Sequence, residues 1–248
     1  MKLNCDLGES YGNWQMGGDA QVMPYIDQAN IACGFHAGDP LVIHKTLLLA
    51  KQHKISIGAH PSYPDLVGFG RRSMKCSEEE IIALMLYQIS AIDGMAQSLG
   101  LTLDYVKPHG ALYNDMMVDP KIMKAILTAI DRYQKNDNKG KVPLKLMIQA
   151  TPEIEQHQKR ASSFNIELLT EAFADRCYQD NGKLVSRNFE DAVHNAKKTL
   201  EQVRQLINHG TVITKSGKKL SINADSLCIH GDNGDSIKAI ADIRALII

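Results

Sequence analysis

Four of the nine histidines in this 248-residue chain stand in one kind of place. His36, His60, His109 and His230 each end or closely follow a short apolar run, and the acidic residues Asp6, Glu9, Asp39, Glu171, Asp175 and Asp232 do the same. Imidazole and carboxylate groups together can move protons near neutral pH, activate water or hold a metal ion. Lys107 stands just before Pro108 and His109, where an ammonium can polarise a carbonyl or hold an anion. Alternation along an extended chain sends Lys107 and His109 to the same side. Arg71, Arg72, Arg176 and Arg187 lie in loop-like stretches beside these motifs. A guanidinium fork there can grip a carboxylate or phosphate at two points, although a surface ion pair accounts equally well for any one of them. A single histidine so placed is more often a packing or capping residue. Several at equivalent ends of different runs point to one shared site. His44, His53, His157, His194 and His209 fall within or near helical segments and read as surface or packing residues.

The elements that must position these groups follow from the apolar pattern. Short runs end at Asp6, Cys33, His60, His109, Ala150, Glu171 and His230, each bounded by Gly, Pro, Asp or Asn as buried parallel strands are. Amphipathic segments alternate with them. Asp39-Pro40 and Asp119-Pro120 are N-cap and first-turn signals, and Ser77 with Glu80 makes a capping box. Helical patterns also run from Phe189 to Ile207 and from Ile237 to Ile248. Strict alternation predicts an α/β fold, a parallel barrel of about seven strands with helices outside. The chain reads as one domain over 1–248, with a small hairpin inserted around 211–223, where a Ser-Gly turn divides two β-rich arms. The segment Lys135–Lys141 reads as a solvated loop.

In such folds ligands bind at the carboxyl ends of the strands, where the loops converge, so residues far apart in sequence share one mouth. The glycine-rich strings GFHAGDP, GAHPSYPD, GFGRR, KPHGALYN and HGDNGD fit this, since Gly lets backbone approach a ligand and Pro stiffens the loop. Ordinary βα turns explain the glycines, but not the His, Lys or Arg beside each of them.

Composition excludes several classes of partner. Lys and Arg number 28 and Asp and Glu 28, a balance that gives no field to hold nucleic acid or an anionic membrane. The opening MKLNCDLGES lacks the apolar run of a signal peptide, and no stretch is long enough to span a membrane. The five cysteines are odd in number and form no CxxC pair, and three of them lie in apolar strand-like runs where a free thiol reads as a core residue, which places the protein in the reducing cytoplasm.

The strings LNCDLGESYG, ANIACGFHAGDP, GAHPSYPDLVGFGRR, VKPHGALYN, EAFADRCY and CIHGDN resemble, in order and spacing, the family of 5-oxoprolinase A subunits, also called LamB/YcsF. The resemblance runs from Leu3 to the C-terminal helix. It implies a seven-stranded barrel related to the polysaccharide-deacetylase barrel. It also implies a part in the ATP-dependent opening of 5-oxoproline (pyroglutamate) to glutamate, alongside two partner subunits.

On this reading the catalytic candidates are Asp6, His36, His60, His109, Glu171, Asp175 and His230. The substrate-binding candidates are Arg71, Arg72, Lys107, Asn114, Arg176 and Asp232. A five-membered lactam is a stable amide, and phosphorylating its oxygen with ATP would make it a better electrophile. The chain carries no GxxxxGK[ST] phosphate loop, so ATP is handled by the partners or at a non-standard site. His and Asp on separate strands would suit a zinc-type site, as in related deacetylases, with Asp6, His36 and His60 as first candidates. There is no HExxH signature, and spacing leaves the metal open. Two other readings stand beside this one: a stand-alone metal-dependent amidohydrolase or sugar deacetylase, and a non-catalytic lactam-binding subunit.

Overall fold

The computed structural model describes residues 1–136, 142–187, 189–230 and 234–247. In chain order the elements are β1 (Lys2–Leu7), α1 (Asp19–Val22) with a 3₁₀ turn at Met23–Tyr25, β2 (Gln28–Ala32), α2 (Pro40–His53), β3 (Ser56–His60) and α3 (Glu78–Ser98). Then come β4 (Leu103–Val106), α4 (Gly110–Val118), α5 (Pro120–Asn136), β5 (Lys145–Gln149), α6 (Ile154–Ser162) and β6 (Leu168–Phe173). The chain closes with α7 (Ala196–His209), β7 (Thr211–Ile213), β8 (Lys219–Ser221), β9 (Ser226–His230) and α8 (Gly234–Ile247). Seven of the strands close a barrel in the order β1-β2-β3-β4-β5-β6-β9, every neighbouring pair parallel. β7 and β8 form a separate antiparallel pair around Gly217.

The helix starts obey their local signals. The Asp39 carboxylate accepts from the Leu41 and Val42 amides at 2.8 and 2.9 Å, with Pro40 in the first turn. Ser77 and Glu80 form the reciprocal capping box. The helix expected from Phe189 starts later, at Ala196, and runs on to His209. Asn195 caps it, and the backbone before the cap is committed elsewhere: His194 N donates to Asp175 O and Cys177 N to Ala192 O.

Two strand ends also differ from the pattern by more than one residue. β6 continues past Glu171 to Phe173, and β4 stops at Val106, three residues short of His109. Pro108 has no amide to give a ladder. Lys107 N and His109 N nonetheless donate to Ala59 O and Pro61 O at 2.9 and 2.8 Å, so the chain keeps running beside β3. Of the loop expected over Lys135–Lys141, residues 137–141 lie outside the described residues.

The strands are buried on both faces, but the faces differ in chemistry. Leu3, Ile31, Ile57, Val106, Leu146, Ile148 and Leu227 pack in the apolar cluster with Leu47, Ile89 and Ile126 of the covering helices. The alternate positions fill the barrel with polar groups. Ser226 Oγ donates to Gln28 Oε1 at 2.8 Å, Asn4 Nδ2 donates to Ser226 Oγ at 2.8 Å, and Asn30 Nδ2 donates to Asn4 Oδ1 at 2.8 Å. Buried amides and hydroxyls are tolerated there because each one meets a partner.

Gly58 makes room in this interior. A Cβ at that position would lie 2.3 Å from Tyr105 Cε2, and the ring is held in place by its hydroxyl, which donates to Asn30 Oδ1 at 2.6 Å. Gly58→Ala is therefore expected to lower stability by about 1–3 kcal/mol, the usual cost of overpacking. A lowered urea midpoint with an unchanged slope would show it; an unchanged midpoint would mean that the ring can move aside.

Candidate active site at the barrel mouth

The carboxyl ends of β1, β3, β4, β6 and β9 bring together groups from across the whole chain. At the centre is Lys107, 3% exposed, whose three ammonium hydrogens are taken up by Asp6 Oδ1 at 2.9 Å, Asn4 Oδ1 at 3.3 Å and Cys228 Sγ at 3.2 Å. Glu171 Oε2 lies 3.1 Å from the same nitrogen as a charge contact outside hydrogen-bond alignment. Tyr113 donates its hydroxyl to the other Glu171 oxygen at 2.8 Å. Burial works against the Lys107 charge, but Asp6, Cys228 and Glu171 hold its pKa well above the ordinary lysine value. Burial likewise pushes the Asp6 carboxyl up, and His60 and Lys107 overcome it, holding Asp6 well below the usual carboxylate range.

Above this ion cluster lie three histidines. His60 Nδ1 sits 2.7 Å from Lys107 O, and His109 Nε2 sits 2.9 Å from Phe69 O. The two rings meet edge to face, with His109 Nδ1 2.9 Å from His60 Nε2. His36 stacks flat on His109 at 3.7 Å between centroids, and its Nε2 is 3.1 Å from Glu9 Oε1. Burial, reinforced by the neighbouring imidazoles, pushes both His36 and His109 well below the ordinary histidine value, so both rings are neutral at pH 7.

Loop geometry fixes these positions. Asp65, buried, closes the turn 65–72 by accepting from Gly68 N at 3.0 Å and from the Arg72 guanidinium. That turn holds Phe69 at a φ of 53°, which aims its carbonyl at His109. Gly110 completes the support with a φ of 56°, and a Cβ there would meet Gly70 O at 2.5 Å. Only glycine takes that conformation and that contact together.

The remaining predicted residues divide. His230 Nδ1 pairs with Asp175 Oδ1 at 2.9 Å on the far side of the mouth, and its ring stacks on Phe173. Burial pushes the Asp175 carboxyl up, but His230 outweighs it and brings it down to about 2. Arg71 lies over the Phe69 ring at 4.9 Å. The other two arginines of the substrate set are committed to structure. Arg72 is the clasp on Asp65, and Arg176 donates to Val185 O at 2.7 Å and Ala192 O at 3.3 Å. Burial and Arg187 lower the Arg176 pKa to about 10. Asn114 is exposed on α4, Asp39 is a helix cap, and Asp232 lies outside the described residues. Lys107 is fully engaged by protein groups and is not free to hold a substrate anion by itself. Glu9 enters the histidine cluster although the sequence marked it only as an acid near a strand end, and Tyr113, Asn4 and Asn30 carry no sequence signal of their role.

These motifs and their arrangement agree with one lineage. The profile of the LamB/YcsF family matches residues 1–247. The chain belongs to the LamB/YcsF family. It is 50% identical over 243 residues to a 5-oxoprolinase A subunit of Pseudomonas putida, a match covering 98% of this chain and 92% of that protein. It is 48% identical to the 5-oxoprolinase A subunit of Vibrio cholerae over 248 residues, 100% of this chain and 97% of that one. Among solved structures, the lactam utilization protein of Thermus thermophilus superposes with a TM-score of 0.86 at 34% identity, covering 100% of this chain and 95% of that chain. Among the described residues of this LamB/YcsF chain no helix is long and apolar enough to cross a membrane.

The ion cluster yields a direct prediction. Replacing Lys107 with Met would leave Asp6 and Glu171 buried with no cation between them. Lys107→Met is expected to cost about 3–5 kcal/mol of stability, the penalty for stranding buried charge. Adding Glu171→Gln should recover part of that loss by removing one of the stranded carboxylates. Denaturant titration of the single and double variants checks this, and a double variant no more stable than the single would contradict the pairing.

Proposed function

We propose that this chain is the A subunit of an ATP-dependent 5-oxoprolinase, acting with two partner subunits in the cytoplasm to open 5-oxoproline to glutamate. The observation that carries the reading is half identity, over nearly the full length, to a 5-oxoprolinase A subunit. The strand-end cluster supports it chemically. Phosphorylation of the lactam oxygen by ATP makes the ring carbon electrophilic. Adding water to that carbon then needs a base for the water's proton and an acid for the departing ring nitrogen, and a second water hydrolyses the resulting acyl phosphate to glutamate and inorganic phosphate. His60 and His109, buried and beside Asp6 and Glu9, are the groups proposed to activate that water. Lys107, with Asp6 and Glu171, forms a fixed ionic floor that holds the Lys107 carbonyl against His60. Arg71, over the Phe69 ring beside the histidines, is the arginine of the substrate set proposed to meet the substrate carboxylate.

The chain has no phosphate loop, and this supports assigning ATP to the partners. The isolated chain is expected to show negligible 5-oxoproline turnover even with ATP and magnesium, and the assembled complex robust turnover. Turnover by the pure chain would favour a stand-alone amidohydrolase instead.

Within the assembled complex, His109→Asn is expected to lower turnover about a hundredfold or more, the scale of lost acid–base catalysis, while the complex still assembles. His209→Asn, exposed at the end of α7, is the control and should change little. Equal small effects from the two would point to a non-catalytic binding role.

A further inference from the structure

The two inner nitrogens of the histidine cluster face each other. A carbonyl oxygen only accepts, so His60 Nδ1, 2.7 Å from Lys107 O, and His109 Nε2, 2.9 Å from Phe69 O, must both carry hydrogen. With one N–H on each ring, His60 Nε2 and His109 Nδ1 present lone pairs. Those two atoms face each other at 2.9 Å. Two lone pairs hold that separation only when a cation lies between or beside them, either a shared proton or a metal ion.

The surroundings favour the metal. Glu9 Oε1 lies 3.6 Å from His109 Nδ1 and 3.1 Å from His36 Nε2, so a carboxylate and a third imidazole face the same point. One ligand atom from each of Glu9, His36, His60 and His109 can be chosen with all four within 4.8 Å of one another, and all four residues are buried. His36 Nδ1 is buried with no hydrogen-bond partner among the described residues, so the ring proton can sit there and leave the Nε2 lone pair for a ligand bond. Outer nitrogens tied to backbone carbonyls, with inner nitrogens converging, as in His60 and His109, is how metal-binding histidines are oriented.

We infer that Glu9, His36, His60 and His109 bind one divalent first-row transition-metal ion, of the zinc class, at the barrel mouth. Three imidazoles and one carboxylate form a donor set of borderline softness, suited to Zn²⁺ or Co²⁺ rather than to Mg²⁺ or Ca²⁺. Asp6, which sequence placed in the ligand set with His36 and His60, gives Oδ1 to Lys107 and Asn30, while Oδ2 stands 3.4 Å from His60 Nε2. Its role is to orient and neutralise from outside the ligand set. A bound ion supplies Lewis acidity at the mouth, and its use there rests on the function proposed above; its binding does not.

The test therefore reads binding by the chain alone, without substrate or partners. Metal-depleted protein is titrated with Zn²⁺ by calorimetry and with Co²⁺ by visible absorption. One ion per chain is expected, with visible Co²⁺ bands of a nitrogen-rich, low-coordinate site and a raised melting temperature on Zn²⁺ addition. His109→Asn and the isosteric Glu9→Gln should each weaken binding more than about tenfold, since loss of even an outer-shell partner has that effect. His230→Asn, outside the set, should leave it unchanged. If His109→Asn does not fold, Glu9→Gln alone carries the comparison. Absence of stoichiometric binding, or bands that survive Glu9→Gln, would overturn the site. So would ¹⁵N imidazole spectra showing a proton shared by His60 and His109 in the presence of Zn²⁺.

Discussion

The buried ammonium of Lys107 is the constraint on which the site depends. It ties together β1, through Asn4 and Asp6, with β6 and β9, through Glu171 and Cys228, and it does so from the end of β4. Taking one cation and two carboxylates out of water is costly, and mutual attraction offsets that cost only when the remaining hydrogen-bonding capacity is met. Here most of it is met: all three ammonium hydrogens have acceptors, Asp6 also accepts from Asn30, and Glu171 Oε1 accepts from Tyr113, which leaves Glu171 Oε2 with the charge contact to Lys107 alone. The same backbone that presents Lys107 offers its carbonyl to His60, so ion cluster and histidine cluster share one residue.

Around that centre the loops act as clamps. Asp65 and Arg72 close the turn that carries Phe69 and Gly70. This turn supports His109 through the Phe69 carbonyl and α4 through Gly70 O, which accepts from Ala111 N at 2.8 Å. Two of the three arginines that sequence offered for substrate, Arg72 and Arg176, are spent on such clamps. An arginine next to a glycine-rich motif reads the same in sequence whether its fork meets a substrate carboxylate or a backbone carbonyl. The difference lies in what stands opposite, and for Arg176 that is Val185 and Ala192, the latter in a stretch whose pattern reads as helix.

The functional reading rests on a division of the barrel into an apolar outside and a polar inside. 5-Oxoproline is small and neutral apart from its carboxylate, and a site that opens it must hold charge out of water without letting that charge collapse the fold. A ladder of Asn, Gln, Ser and Tyr groups beneath the mouth does this by giving every one of these buried polar groups a partner before the ionic cluster begins.

Sequence by itself determined the seven strands, the starts of α2, α3 and α5, and the small antiparallel pair, and it marked the end of the barrel where the polar groups gather. These follow from period, capping and turn chemistry, which are local. It also marked His36, His60, His109, Asp6 and Glu171 as partners, because the parallel topology leaves one mouth for all strand ends. What tertiary structure alone decided was the pairing. Glu9 joins the histidines while Asp6 turns to Lys107, Tyr113 reaches Glu171, and Lys107 stands between carboxylates from the first and the sixth strands. No local pattern encodes those contacts, because the energy that selects them comes from closing the barrel and desolvating the groups together.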